Sequence, residues 1–202
     1  MFCIVSNFAI QHPQIRAPLG DVTTDRLELR RFRSGDLDDL AAVFEKPEVW
    51  RFPYGRGFTR EETAAFLQTQ LAEWSTCGFG CWLAIERKSD RVIGYVGLSV
   101  PVFLPEILPA VEVGWRFDPG VWGRGYASEG ARAALAEAFT TLGLNEVCSV
   151  PQSDNPASSR VCERLGMRFE REVVIPATSR RGVLTGLLYE MSQSEWSAGT
   201  ET

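Results

Sequence analysis

Histidine is almost missing from this chain: His12 is the only one among 202 residues. A Ser–His–Asp or Cys–His mechanism, or a His-based metal centre, therefore has little to build on. His12 itself reads as a tail residue. Cysteine is sparse and odd in number, at positions 3, 77, 81, 148 and 162. Cys77-x-x-x-Cys81 has no second Cys or His pair to complete a zinc site, so no metal is expected. The cysteines read as reduced packing thiols, which points to a cytoplasmic protein. No apolar run reaches the about 20 residues of a spanning helix, and Phe2-Cys3-Ile4-Val5 lacks a basic region before it. Neither a membrane association nor a signal peptide is expected. Excess positive charge is absent too: the net charge is −5 and the pI about 5.1. That balance argues against a nucleic-acid or anionic-membrane partner and suits a cationic substrate. There is no Gly-Lys-Ser/Thr ending of a P-loop, no internal repeat and no low-complexity linker.

What is present suits one globular domain. Hydrophobic residues make up 45% of the chain, enough for a sizeable core. Residues 21–196 are expected to form that domain, with 1–20 as an arm or tail and 197–202 as a C-terminal tail. Alternation at 27–31 predicts a first strand. Ser34 caps a helix carrying Leu37, Leu40, Ala41 and Phe44 on one face. Thr59 and Glu62 have capping-box spacing, and the helix they start repeats apolar residues to Trp74 before Gly78 stops it. Residues 81–86 and 92–99 read as a hairpin, 100–110 as a proline-rich loop and 111–117 as a strand. A helix follows residue 125 and ends at Gly143. Another strand, a helix from Asn155-Pro156 to Gly166, and two final strands complete the order. The predicted class is α/β (α+β): a mixed, mostly antiparallel sheet of about six to seven strands flanked by about four helices.

The most informative stretch is Trp122-Gly123-Arg124-Gly125-Tyr126-Ala127-Ser128-Glu129. A strand runs through a turn at Asp118-Pro119-Gly120 into two closely spaced glycines, and the glycines open an alanine-rich helix. Glycine lets the backbone close around an anion, and the first helical N–H groups lack internal partners and point at it. A phosphate-bearing ligand is expected. The compressed Gly-x-Gly-x-Ala spacing does not match a dinucleotide fingerprint.

This segment resembles the acetyl-CoA loop of the GNAT N-acetyltransferases, and within them the RimJ/RimL type, in which a Trp commonly stands where Trp122 does. The resemblance runs from residues 23–30 to the final strand near Tyr189. It implies acetyl-CoA as the acyl donor, with the pyrophosphate on the backbone N–H groups of Gly123, Arg124, Gly125, Tyr126, Ala127 and Ser128. The backbone of Trp115 and Phe117 would pair with the pantetheine, and Asn155 would hydrogen-bond a pantetheine amide. Transfer would be direct, in a ternary complex with an amine acceptor, a protein N-terminus or a small molecule. An α-amine, with a pKa of about 7.7–8.0 against about 10.4 for lysine, is the easier nucleophile to neutralise.

The expected catalytic residues are Glu112 and Ser158. Glu112 lies on the strand feeding the loop, between apolar Val111 and Val113; the resemblance implies an acidic residue near the reacting centre there, which would take the amine proton. Ser158, in Asn155-Pro156-Ala157-Ser158, would stabilise the leaving thiolate by a hydrogen bond. The family's frequent tyrosine seven residues after the asparagine is missing, since Cys162 stands there. That departure keeps open a non-catalytic acyl-CoA-binding sensor. An acyltransferase using a larger donor such as succinyl-CoA, and a homodimer through the arm or terminal strands, also stay open.

Overall fold

The computed structural model describes residues 18–200. The expected arm, with Cys3 and His12, lies outside that range except for residues 18–20. Among the described residues eight strands form one sheet: β1 (Val22–Thr23), β2 (Leu27–Arg30), β3 (Cys81–Glu86), β4 (Arg91–Ser99), β5 (Glu112–Phe117), β6 (Glu146–Ser149), β7 (Arg168–Ile175) and β8 (Leu184–Ser192). Their order is β1-β2-β3-β4-β5-β6-β8-β7, antiparallel except between β5 and β6. Six α-helices accompany them: α1 (Leu37–Phe44), α2 (Arg51–Tyr54), α3 (Arg60–Cys77), α4 (Tyr126–Thr140), α5 (Pro156–Leu165) and α6 (Gln193–Thr200). The class and the mostly antiparallel mixed sheet agree with expectation. The surplus over the expected counts is short: the two-residue β1, the four-residue α2, and α6, which runs into the segment expected as C-terminal tail.

Local chemistry sets the helix ends. The amide of Glu62 donates to Thr59 Oγ1 at 3.2 Å and that of Thr59 to Glu62 Oε2 at 3.0 Å, closing the capping box of α3. Asn155 Oδ1 accepts the Ser158 N–H at the start of α5, where Pro156 occupies the first turn.

The centre of the sheet is buried on both faces, and β3 shows why its sequence lacks polar alternation. Trp82 and Ala84 join the core containing Ala131, Leu135 and Phe139 of α4, whereas Cys81, Leu83 and Ile85 join a second core with Phe44 of α1 and Leu67 of α3. Successive side chains feed opposite layers, so both must be apolar. β5 is different. Val113 and Phe117 face the α4 core, but the alternate positions are Glu112, Gly114 and Arg116, all of which line a cavity on the α1–α3 side.

β5 and β6 stay together for a single register pair, Glu112 with Cys148. The Cys148 N–H donates to Val111 O at 2.9 Å. The next amide on the same edge, that of Val150, turns instead to the Glu112 side chain, Oε1, at 3.2 Å. Beyond this point β6 ends and the two strands part. The backbone groups of Val113 and Trp115 share the parity of Val111, so they point into the resulting gap.

Candidate active site

The gap opens into a cavity of about 490 Å³. Its walls include Glu112, Trp115 and Arg116 from β5, Asn155 and Ser158 from the start of α5, Gln70 and Glu73 from α3, and aromatic rings such as Trp50, Phe66 and Tyr95. Thus both expected catalytic residues, far apart in sequence, line one space.

Burial pushes the Glu112 carboxyl up to about 7, against the opposing pull of the Val150 N–H and the Arg116 guanidinium. A carboxylate so tuned both releases and takes a proton near neutrality. Arg116 is held by a hydrogen bond to Val49 O at 2.7 Å and lies over the Trp50 ring at 4.0 Å. At the opposite wall, Asn155 uses both ends of its amide within its own helix. Oδ1 accepts from the Ser158 N–H, and Nδ2 donates to Ser158 Oγ at 3.1 Å. Because the Ser158 oxygen is an acceptor in that bond, its own proton is left for a partner in the cavity. Asn155 here caps and orients Ser158.

Cys162, at the position where the family often has a tyrosine, is fully buried, and burial pushes its thiol up to about 12. It is a packing residue, as are the free buried thiols of Cys77, Cys81 and Cys148. Among the described residues no group of three or more His, Cys, Asp or Glu side chains is placed to hold a metal.

The glycine loop lies past the C-terminal end of β5. Gly125 is the N-cap of α4 with φ +83°, and no side chain caps this helix. Gly123 has φ +72°. Both conformations favour glycine. The N–H groups of Gly123, Arg124, Gly125, Tyr126, Ala127 and Ser128 have no protein partner among the described residues. The loop therefore offers a row of free donors at a helix N-terminus, the arrangement an anion needs. Trp122 contributes differently. Its indole N–H is spent on Phe117 O at 2.8 Å, while its ring is 54% exposed. This bond occupies the Phe117 carbonyl and braces the strand-to-loop turn, while the backbone groups of Val113 and Trp115 stay open to the gap.

The sequence did not reveal what holds the loop. Glu129, in the first turn of α4, accepts from Thr24 Oγ1, the Arg26 amide at 2.8 Å and Arg26 Nε at 2.6 Å. Arg26 Nη1 in turn donates to the carbonyl of Arg124 at 2.7 Å, and the guanidinium lies over the Tyr126 ring at 4.6 Å. Tyr126 is fixed from the far side by a 2.5 Å bond from its hydroxyl to Glu86 Oε1. Arg26 and Glu129 each fall within a recognisable segment, but their pairing spans 103 positions and carries no local signal. Gln70 and Glu73 were also missed; their only cue is a polar pair one turn apart on a helix with an apolar face.

Comparison with known proteins gives a coherent result. A family described as acetyltransferase (GNAT) domain matches residues 26–168. The chain is 31% identical over 184 residues to the FsC-acetyl coenzyme A-N(2)-transacetylase of Aspergillus fumigatus, covering 86% of this chain and 76% of that protein. It is 30% identical over 154 residues to the uncharacterized N-acetyltransferase YoaA of Bacillus subtilis, covering 75% of this chain and 84% of that protein. Among solved structures, the ribosomal-protein-S5-alanine acetyltransferase of Vibrio fischeri superposes with a TM-score of 0.68 at 18% identity, over 87% of this chain and 98% of that one. At that identity the likeness speaks for the fold alone.

Proposed function

From the premise that this chain belongs to the acetyltransferase (GNAT) family and is an acyltransferase drawing on acetyl-CoA, we propose that it acetylates a primary amine, a protein N-terminus or a small amine, by direct transfer in a ternary complex. The observation that carries this reading is the cavity in which Glu112 and Ser158 line one space at the parting of β5 and β6.

The loop donors at 123–128 would hold the pyrophosphate, and the open backbone groups of Trp115 would pair with the pantetheine. Glu112 accepts a proton from the arriving ammonium and leaves a neutral amine. The amine nitrogen attacks the thioester carbon, the C–N bond forms and the C–S bond breaks. Ser158 donates its free hydroxyl hydrogen to the departing thiolate, which stabilises charge as it develops. The amine's remaining excess proton leaves to solvent or to the thiolate. Free buried thiols support residence in a reducing compartment, the cytoplasm.

The test is thiol release from acetyl-CoA in the presence of a mixed pool of peptides and small amines, with products identified by mass spectrometry. Amine-dependent thiol release and a mass gain of one acetyl group are expected. Tight acetyl-CoA binding with no amine-dependent release would overturn the reading in favour of a sensor.

A further inference from the structure

The cavity holds more acceptor groups than transfer at Glu112 uses. Gln70 and Glu73 are one turn apart on α3 and both line it. Gln70 Nε2 donates to Glu73 Oε2 at 3.0 Å, which leaves Gln70 Oε1 without a partner although Gln70 is only 5% exposed. Gln152 Oε1, in another wall, is likewise buried and unpartnered. Among the described residues no cation lies within ion-pair distance of Glu73 or Glu112. Burial raises the Glu73 carboxyl to about 7.

A half-buried carboxylate with no cation beside it and a buried carbonyl with no hydrogen-bond partner both carry desolvation costs that a complementary ligand relieves. The complement to these groups is positive charge with several N–H donors. Phe66 and Tyr95 supply aromatic walls that suit a methylene chain, whereas the Trp50 ring is already covered by Arg116 and Phe58. The net charge of −5 favours the approach of a cation.

Resting on the acetyl-transfer reading above, we propose that Gln70 and Glu73 form an ammonium subsite for a second amino group, so that the acceptor is a small diamine. One nitrogen is acetylated beside Glu112. The other stays protonated and is held by the Glu73 carboxylate and the free Gln70 carbonyl.

The experiment compares diaminobutane with pentylamine, which replaces one ammonium by a methyl group on a chain of the same length. Steady-state thiol release from acetyl-CoA gives kcat/KM for each. Wild type is expected to favour the diamine by about tenfold or more, expressed in KM. Glu73→Gln is expected to shrink the ratio of the two values toward unity, and Gln70→Leu to shrink it in the same direction. Equal or absent turnover of the two amines by wild type overturns the subsite without needing any variant. An undiminished ratio in both variants overturns it too. So does an equal loss on both amines in Glu73→Gln, which would place Glu73 at the reacting nitrogen. Calorimetry with acetyl-CoA separates the two levels: no binding defeats the acetyl-transfer reading, whereas binding with turnover of pentylamine and no diamine preference defeats only the subsite.

Discussion

The strand contact of Glu112 and the proton-transfer role proposed for it share one cause. Its carboxylate substitutes for a backbone carbonyl as the partner of the Val150 amide where β5 and β6 part, and the same burial lifts its proton affinity to near neutrality. A base with this pKa gives a rate that rises through pH about 7 as it ionises. Glu112→Gln is expected to lower kcat/KM by about a hundredfold and to erase that rising limb, as read from a pH–rate profile; an unchanged profile would remove Glu112 from proton transfer. Ser158 is oriented by Asn155 rather than activated by it. In the proposed transfer its hydrogen bond would gain strength only as thiolate charge develops, so Ser158→Ala should lower kcat about ten- to a hundredfold with acetyl-CoA affinity little altered. A matching loss in Kd would mean that Ser158 binds the ground state instead.

At the scale of elements, the loop and helix that open α4 depend on two kinds of support. One is conformational: with φ +83°, position 125 disfavours any side chain, and a β-branched one most. Gly125→Val should abolish acetyl-CoA binding in calorimetry while the fold persists by circular dichroism. The other is the tether from Glu129 through Arg26 to the Arg124 carbonyl. Glu129→Ala releases it, and acetyl-CoA affinity is expected to fall about tenfold with kcat preserved; unaltered affinity would reduce the tether to ordinary packing. The glycine loop and the capped ends of α3 and α5 were legible because their determinants lie within a few residues of one another. The tether was not, since Arg26 and Glu129 meet only after the sheet has assembled. The brief β1 and α2 escaped for a related reason: two or four residues cannot display a period, and their form is set by neighbours.

For the molecule as a whole, the β5 alternation that places Glu112 on the cavity face also commits the fold to burying a carboxylate, and α3 adds Glu73 across the same space. The first of these was legible because Glu112 lies between apolar Val111 and Val113 on the strand feeding the glycine loop, a place where the resemblance implies an acid; the second was hidden among the many polar residues of α3. Both carboxyls rise from 4.5 to about 7 on folding. Between those values the folded chain keeps protons that the unfolded chain has released, so stability falls as pH rises through the window and levels off above about 7. The contribution is fully present below about 4.5 and is lost by the time both groups ionise in the folded state, on the order of 3 kcal/mol for each carboxyl. Asp36, Asp118 and Glu129 act with the opposite sign, because hydrogen bonds and cations hold their carboxyls below the ordinary range and their stabilisation disappears only in acid. The melting temperature should therefore decline from about pH 5 to about pH 8 in the free protein. A Glu73→Gln, Glu112→Gln double variant should show a much shallower decline, since an amide carries no charge to desolvate. Thermal melts across that range check this, and a decline of equal steepness in the double variant would place its origin outside the cavity.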